Sequence, residues 1–74
     1  QIRVNALAPG YVMTDLNRNF LTSDSGIKLQ KRTAFHRFAS PAELMPALLF
    51  LLDPANSYMT GETLTIDGGM SASL

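Results

Sequence analysis

Thr14 carries a hydroxyl at the end of Pro9-Gly10-Tyr11-Val12-Met13-Thr14, where a strand-like run gives way to a loop. A threonine there can donate to an amide or phosphoryl oxygen, and if it opened a helix the free amides behind it would also favour an anionic oxygen. A plain helix cap satisfies the same pattern, so both roles stay open. Tyr11, Tyr58 and His36 are groups able to move protons, and Lys28, Lys31, Arg32 and Arg37 could reach a charged substrate; a solvated polar face is the reading adopted for His36 and the cations. Cysteine is absent, which removes thiolate chemistry and disulfides, and His36 with scattered carboxylates offers no metal-ligand spacing. Neither G-x-x-x-G-x-G nor G-x-G-x-x-G occurs, so no glycine-rich phosphate turn is present in the sequence.

The elements that must position these groups follow from periodicity. Ile2-Arg3-Val4-Asn5-Ala6-Leu7-Ala8 alternates, with Ile2, Val4, Ala6 and Ala8 on one face, and predicts a strand ended by Pro9-Gly10. Residues 11–39 have mixed polarity, with helix starts at Thr14-Asp15 and Ser23-Asp24 and Gly26 as a weak interior or a boundary residue. They predict two short helices in a lid-like segment. Phe20, Leu21, Ile27 and Leu29 could close over a substrate and Phe35 and Phe38 could anchor the segment, with core packing as the rival for each. Ser40-Pro41-Ala42-Glu43 predicts a capped helix over 41–52, apolar all round, in which Pro46 would delete a hydrogen bond to Ala42 and kink the axis. Asp53-Pro54 stops that helix. Thr63-Leu64-Thr65-Ile66 predicts a closing strand and Asp67-Gly68-Gly69 its turn. The order strand, helices, strand suggests a parallel crossover, and two parallel strands need sheet neighbours and helices on both faces.

Composition narrows the partners. Six Lys plus Arg balance six Asp plus Glu in 74 residues, for a formal net charge of 0, so neither nucleic acid nor an anionic membrane is an expected partner. The longest apolar run, residues 44–52, is about half of the roughly 20 residues that span a bilayer. The opening residues lack a secretory pattern, and a soluble cytoplasmic protein is expected. A chain this short rarely stabilises one core by more than about 3–5 kcal/mol without staples. With Gln1 first and Ile2 already strand-like, the sequence reads as a piece of something longer.

Residues 2–14, Ile-Arg-Val-Asn-Ala-Leu-Ala-Pro-Gly-Tyr-Val-Met-Thr, closely resemble the sixth-strand region of the short-chain dehydrogenase/reductase family. Ser40-Pro41-Ala42-Glu43-Leu44 resembles the start of the family's last long helix, and residues 58–69, Tyr-Met-Thr-Gly-Glu-Thr-Leu-Thr-Ile-Asp-Gly-Gly, its closing strand and tail. The resemblance implies an α/β fold: residues 1–74 would be the C-terminal portion of a single NAD(P)-binding domain. They would hold the last two strands of a Rossmann-type doubly wound parallel sheet, the lid helices and the last long helix.

It implies an oxidoreductase that moves hydride between NAD or NADP and a carbonyl or alcohol substrate, with a polyol, sugar or other small ketone as the suggested class. Ligands of open α/β sheets bind beyond the carboxyl ends of strands. The resemblance assigns the backbone of Val12 to the nicotinamide carboxamide, Thr14 to the carboxamide or diphosphate, and the small profile of Pro9 and Gly10 to approach of the ring. The family's reaction uses a tyrosine, a lysine and a serine. Tyr11 has Asp15 rather than lysine four residues on, and Tyr58 has Glu62, so neither is the catalytic tyrosine; Tyr58 reads as an aromatic anchor near the last strand. The catalytic residues are expected upstream of Gln1, leaving this piece inactive alone. The helix over 41–52 and the strand over 62–67 read as an assembly surface, by resemblance that of a homotetramer, with burial inside one subunit as the rival. The alternative function is a noncatalytic binding or regulatory protein on the same scaffold; an independently folding interaction module is a third.

Overall fold

Pairing between distant residues organises the chain. In a computed structural model describing residues 1–72, β1 (Ala6–Pro9) and β2 (Thr63–Ile66) lie in parallel, with Ala6 opposite Thr63 and Pro9 opposite Ile66. Between them run α1 (Arg18–Leu21), α2 (Asp24–Gln30), a 3₁₀ turn at Pro41–Leu44 and α3 (Met45–Leu52); a second 3₁₀ turn, Met70–Ala72, follows β2. The expected strand–helices–strand order and parallel pairing are both present.

β1 is shorter at its start and longer at its end than the alternating run 2–8 predicts. At the start, side chains supplement a single backbone bond, Gly61 N–H to the Val4 carbonyl at 2.7 Å: Val4 N–H donates to Thr60 Oγ1 at 3.0 Å, Asn5 Nδ2 to the Met59 carbonyl at 3.3 Å, and Glu62 N–H to Asn5 Oδ1 at 3.0 Å. The regular register is broken there by Gly61, which has φ 74°. At the far end Pro9 lies inside the strand rather than terminating it. Ala6 N–H donates to the Glu62 carbonyl at 2.8 Å and Gly10 N–H to that of Ile66 at 2.9 Å. Even-numbered amides therefore face β2, and the missing N–H of Pro9 falls on the opposite edge, where it interrupts nothing in this pair.

Two short helices fill the lid segment as expected, but the first starts later than Thr14-Asp15 suggested. Asn17 precedes α1, and Ser23 caps α2 by accepting from Gly26 N–H at 3.3 Å. Gly26 is an interior residue of α2 rather than a boundary, and it is required by contact: a Cβ there would lie 2.6 Å from Leu21 Cα and closer still to the Leu21 carbonyl. This close crossing of α1 and α2 buries Leu21, the one apolar side chain fully withdrawn from solvent among the described residues.

Pro46 does not kink a continuous helix. The segment starts as the 3₁₀ turn and restarts as α3 with Pro46 in its first turn, where an amide hydrogen has no intrahelical partner to lose. Glu43 carries the cap as expected, accepting Ser40 N–H at 2.9 Å. The Glu43 N–H goes to the Ser40 carbonyl at 3.0 Å.

α3 leaves Leu49, Phe50 and Leu52 exposed, and Ala47 and Leu51, like Leu44 in the turn before it, only half-buried. Arg3 ties its end to β1 by donating to the Leu51 carbonyl at 3.2 Å. The radius of gyration is 14.5 Å, whereas a compact chain of this length has one of about 11 Å. The thinnest dimension, 15 Å, accommodates one sheet layer with helices on one side, not the two covered faces that a parallel sheet requires. The isolated 74-residue chain is accordingly expected to melt broadly, without a cooperative transition, when followed by circular dichroism. A sharp melt of a monomer would contradict this reading.

Candidate functional site

The carboxyl ends of β1 and β2 meet at Gly10 and Asp67. A Cβ built on Gly10 would lie 2.7 Å from Asp67 Cβ and 2.8 Å from Asp67 Cα. Real Cβ atoms do not approach backbone that closely, so Gly10 is glycine because the neighbouring strand end occupies its side-chain space. The expectation that its small profile serves ring approach is thereby joined by a structural requirement met first. Asp67 then turns the chain: its carboxylate accepts from Gly69 N–H and Ser71 N–H, each at 2.9 Å, while Gly68 and Gly69 hold φ of 64° and 86°. The Ser71 hydroxyl first, and then these amides, hold the carboxyl below its ordinary value. Pro9, Gly10, Arg32, Asp67 and Ser71 line an open cleft of about 600 Å³.

Beyond Gly10 the loop is tied on both sides. Met13 N–H donates to the Ala39 carbonyl at 2.9 Å and Ala39 N–H to that of Tyr11 at 3.2 Å, an isolated parallel bridge that joins the two ends of the lid segment. From the other side, Asn17 Nδ2 donates to the Val12 carbonyl at 2.9 Å and Asn17 Oδ1 accepts Thr14 N–H at 2.8 Å. Thr14 is therefore not a helix cap: its amide is held by Asn17, and its half-buried hydroxyl has no hydrogen-bond partner among the described residues. The Val12 N–H is likewise without a partner there. Of the four sequence-predicted site residues, Pro9 and Gly10 line the cleft, while Val12 and Thr14 follow on the loop leaving it.

Sequence reasoning missed Asn17 and the contact of Asp67 with Gly10. Asn17 carried a signal, a cap-type residue just before a helix; Asp67 carried only its turn chemistry.

The polar lid residues divide. Arg37 is not a free cation: its guanidinium grips Glu43 through two contacts of 2.7 Å and lies 5.9 Å from the centroid of the Phe35 ring. The grip links the end of the lid to the turn before α3. Thr33, a buried hydroxyl, braces the same bend by donating to the Gln30 carbonyl at 3.0 Å and accepting Arg37 N–H at 3.2 Å. Phe38 does anchor the segment, edge-on to Tyr11 with ring centroids 6.0 Å apart. Phe20, Ile27 and Phe35 are exposed. Tyr58 is fully exposed and anchors nothing among the described residues, because the segment is tied to the chain before β1 by polar contacts at Met59, Thr60 and Gly61 and not by the ring. No group of three potential metal ligands occurs among the described residues, and no helix there is long and apolar enough to cross a membrane.

Arg37, and after it the Ser40 N–H, push the Glu43 carboxyl down to about 2 from an ordinary value of 4.5. A folded value below the unfolded one stabilises the fold fully above the unfolded value, and the contribution disappears as pH falls toward the folded value. The lid tie is thus expected to be intact above about pH 4.5 and lost toward pH 2. Glu43→Gln should flatten acid-induced loss of stability across that window in a pH series of thermal melts; an unchanged pH profile would show that the pair contributes nothing.

A parallel strand–helix–strand unit with a loop leaving the carboxyl end of its first strand is the building block of an α/β sheet, and the structures on which the chain superposes make that sheet Rossmann-type. The family model described as Enoyl-(Acyl carrier protein) reductase matches residues 1–71, and the chain belongs to the short-chain dehydrogenase/reductase family. It is 38% identical over 68 residues to 7alpha-hydroxysteroid dehydrogenase of Escherichia coli, covering 92% of this chain and 27% of that protein. To D-arabinitol 2-dehydrogenase [ribulose-forming] of Candida tropicalis it is 41% identical over 71 residues, covering 92% and 25%. It superposes with a TM-score of 0.88 on the crystal structure of a gluconate 5-dehydrogenase from Burkholderia cenocepacia in complex with NADP and tartrate, at 38% identity over 99% of this chain and 29% of that one. The chain thus spans about a quarter of the length of the curated relatives it matches.

Proposed function

We propose that this chain is the C-terminal portion of one NAD(P)-binding domain in a longer oxidoreductase, and that residues 9–14 hold the nicotinamide end of its cofactor. One observation carries the reading. Two hydrogen-bond donors without partners among the described residues, the Val12 N–H and the Thr14 hydroxyl, stand on a loop fixed from both sides at the carboxyl ends of parallel strands. A nicotinamide carboxamide offers an acceptor oxygen for such a donor, and its amine fits the second lone pair of the Val12 carbonyl, so the residues present fit the group. Pro9 and Gly10 form the wall at which the loop leaves the sheet. When bound, NAD or NADP accepts or supplies a hydride, and the substrate is a small alcohol or carbonyl compound, with sugar alcohols and sugar acids favoured by the likeness to arabinitol and gluconate dehydrogenases.

The contribution of this chain is orientation, which matters because a small misplacement of reacting atoms costs large rate factors. A tyrosine and lysine pair for proton transfer lies outside these residues, and the chain alone is proposed to be inactive. Exposed apolar side chains on α3, at Leu49, Phe50 and Leu52, support its being covered by another surface, and by the family resemblance a cytoplasmic homotetramer is the proposed assembly.

The test is an assay of the full-length protein carrying this sequence, following nicotinamide absorbance with sugar alcohols, sugar acids and hydroxysteroids. Turnover with one class and either cofactor is expected. Nicotinamide dinucleotide binding without turnover of any alcohol or carbonyl compound would favour a noncatalytic scaffold, and no dinucleotide binding would overturn the proposal.

A further inference from the structure

Resting on that reading of residues 9–14, we propose that Asn17 is a positioning residue for the nicotinamide site, holding Val12 and Thr14 in the arrangement that leaves their other donors free. Its carboxamide is divided between two backbone groups of opposite character: Nδ2 reaches the Val12 carbonyl at 2.9 Å and Oδ1 receives Thr14 N–H at 2.8 Å. These complementary demands fix which end of the amide is nitrogen.

Asn17 also stands just before α1, where an asparagine ordinarily caps the helix. Its side chain makes no cap hydrogen bond there, and its backbone, at φ −111° and ψ 2°, lies outside the extended region typical of caps. Both polar atoms serve the loop instead. Holding the Val12 carbonyl and the Thr14 amide fixes the two peptide planes on either side of Met13. That sets the direction of the free lone pair of the Val12 carbonyl and of the Thr14 side chain, while the preceding peptide, which carries the Val12 N–H, is held by Ala39 N–H on the Tyr11 carbonyl at 3.2 Å; neither the Val12 N–H nor the Thr14 hydroxyl has a partner among the described residues.

The chemistry separates Asn from its nearest replacement. Aspartate keeps an acceptor for Thr14 N–H but turns an oxygen toward the Val12 carbonyl, so the second bond becomes a repulsion at almost unchanged volume. Alanine removes both bonds.

The experiment compares the full-length wild type with Asn17→Asp, Asn17→Ala and Thr14→Ala. Calorimetry measures binding of NADH and of ADP-ribose, which lacks only the nicotinamide; the 2′-phosphorylated pair is used if the protein prefers NADPH. Each Asn17 variant is expected to weaken NADH binding about tenfold, the effect of losing roughly one to two net hydrogen bonds, while ADP-ribose binding stays unchanged. Asn17→Asp, being isosteric, carries the test if Asn17→Ala does not fold. Equal weakening of both ligands would overturn the positioning role in favour of a general structural one. Unchanged NADH binding in both Asn17 variants, with binding weakened in Thr14→Ala, would overturn the role of Asn17 and leave the nicotinamide reading standing. A wild type that binds neither ligand would overturn that reading and this inference together.

Discussion

Gly10→Val in the full-length protein is expected to lower stability by about 3 kcal/mol, at the upper end of the usual cost of overpacking. For a domain of some 150–250 residues that is a fall in Tm of roughly 6–12 °C. The magnitude follows from what the new side chain would meet. Its Cβ would stand 2.7–2.8 Å from Asp67 Cβ and Cα, and neither is the far end of a flexible side chain that can swing aside. Relief requires the ends of β1 and β2 to separate, which strains the 2.9 Å bond from Gly10 N–H to the Ile66 carbonyl and shifts the turn that Asp67 holds. An unchanged melting temperature would show that the strand ends are not packed as described. Gly10→Ala should act in the same direction with a smaller effect, so the two substitutions form a graded test.

Thr14→Ala is expected to behave oppositely: about a tenfold loss in kcat/KM with little change in Tm. Without Asn17 the hydroxyl would read as a helix cap, and its removal would cost about 1 kcal/mol of stability. In the structure the helix starts after Asn17, and the Thr14 amide is held whatever side chain Thr14 bears. The hydroxyl is thus available for the proposed cofactor contact, and one such hydrogen bond corresponds to about 1.4 kcal/mol, or tenfold. A lowered Tm with unchanged turnover would return Thr14 to a purely structural role.

Local chemistry made several parts of this fold legible in the sequence. Alternation marked both strands, Ser23 marked a helix start, Ser40 with Glu43 marked the start of the helical segment over 41–52, and Asp67-Gly68-Gly69 marked the end of β2. Each is decided within a few residues of chain. The misplaced features depend on partners distant in sequence or on competition among nearby choices. Pro9 stays in β1 because its missing N–H falls on the edge away from β2, which only the register reveals. Pro46 is accommodated by restarting the helix instead of bending it. Thr14 loses the cap position to Asn17, and Gly10 is required by Asp67, with which it has no sequence relation.

The most direct test of the proposed role of residues 9–14 is a crystal structure of the full-length protein with NAD or NADP bound. The nicotinamide carboxamide oxygen is predicted to lie about 2.7–3.2 Å from the Val12 nitrogen, with Asn17 still bridging the Val12 carbonyl and the Thr14 amide. A nicotinamide bound elsewhere, with the Val12 N–H still unpaired beside an empty loop, would contradict it.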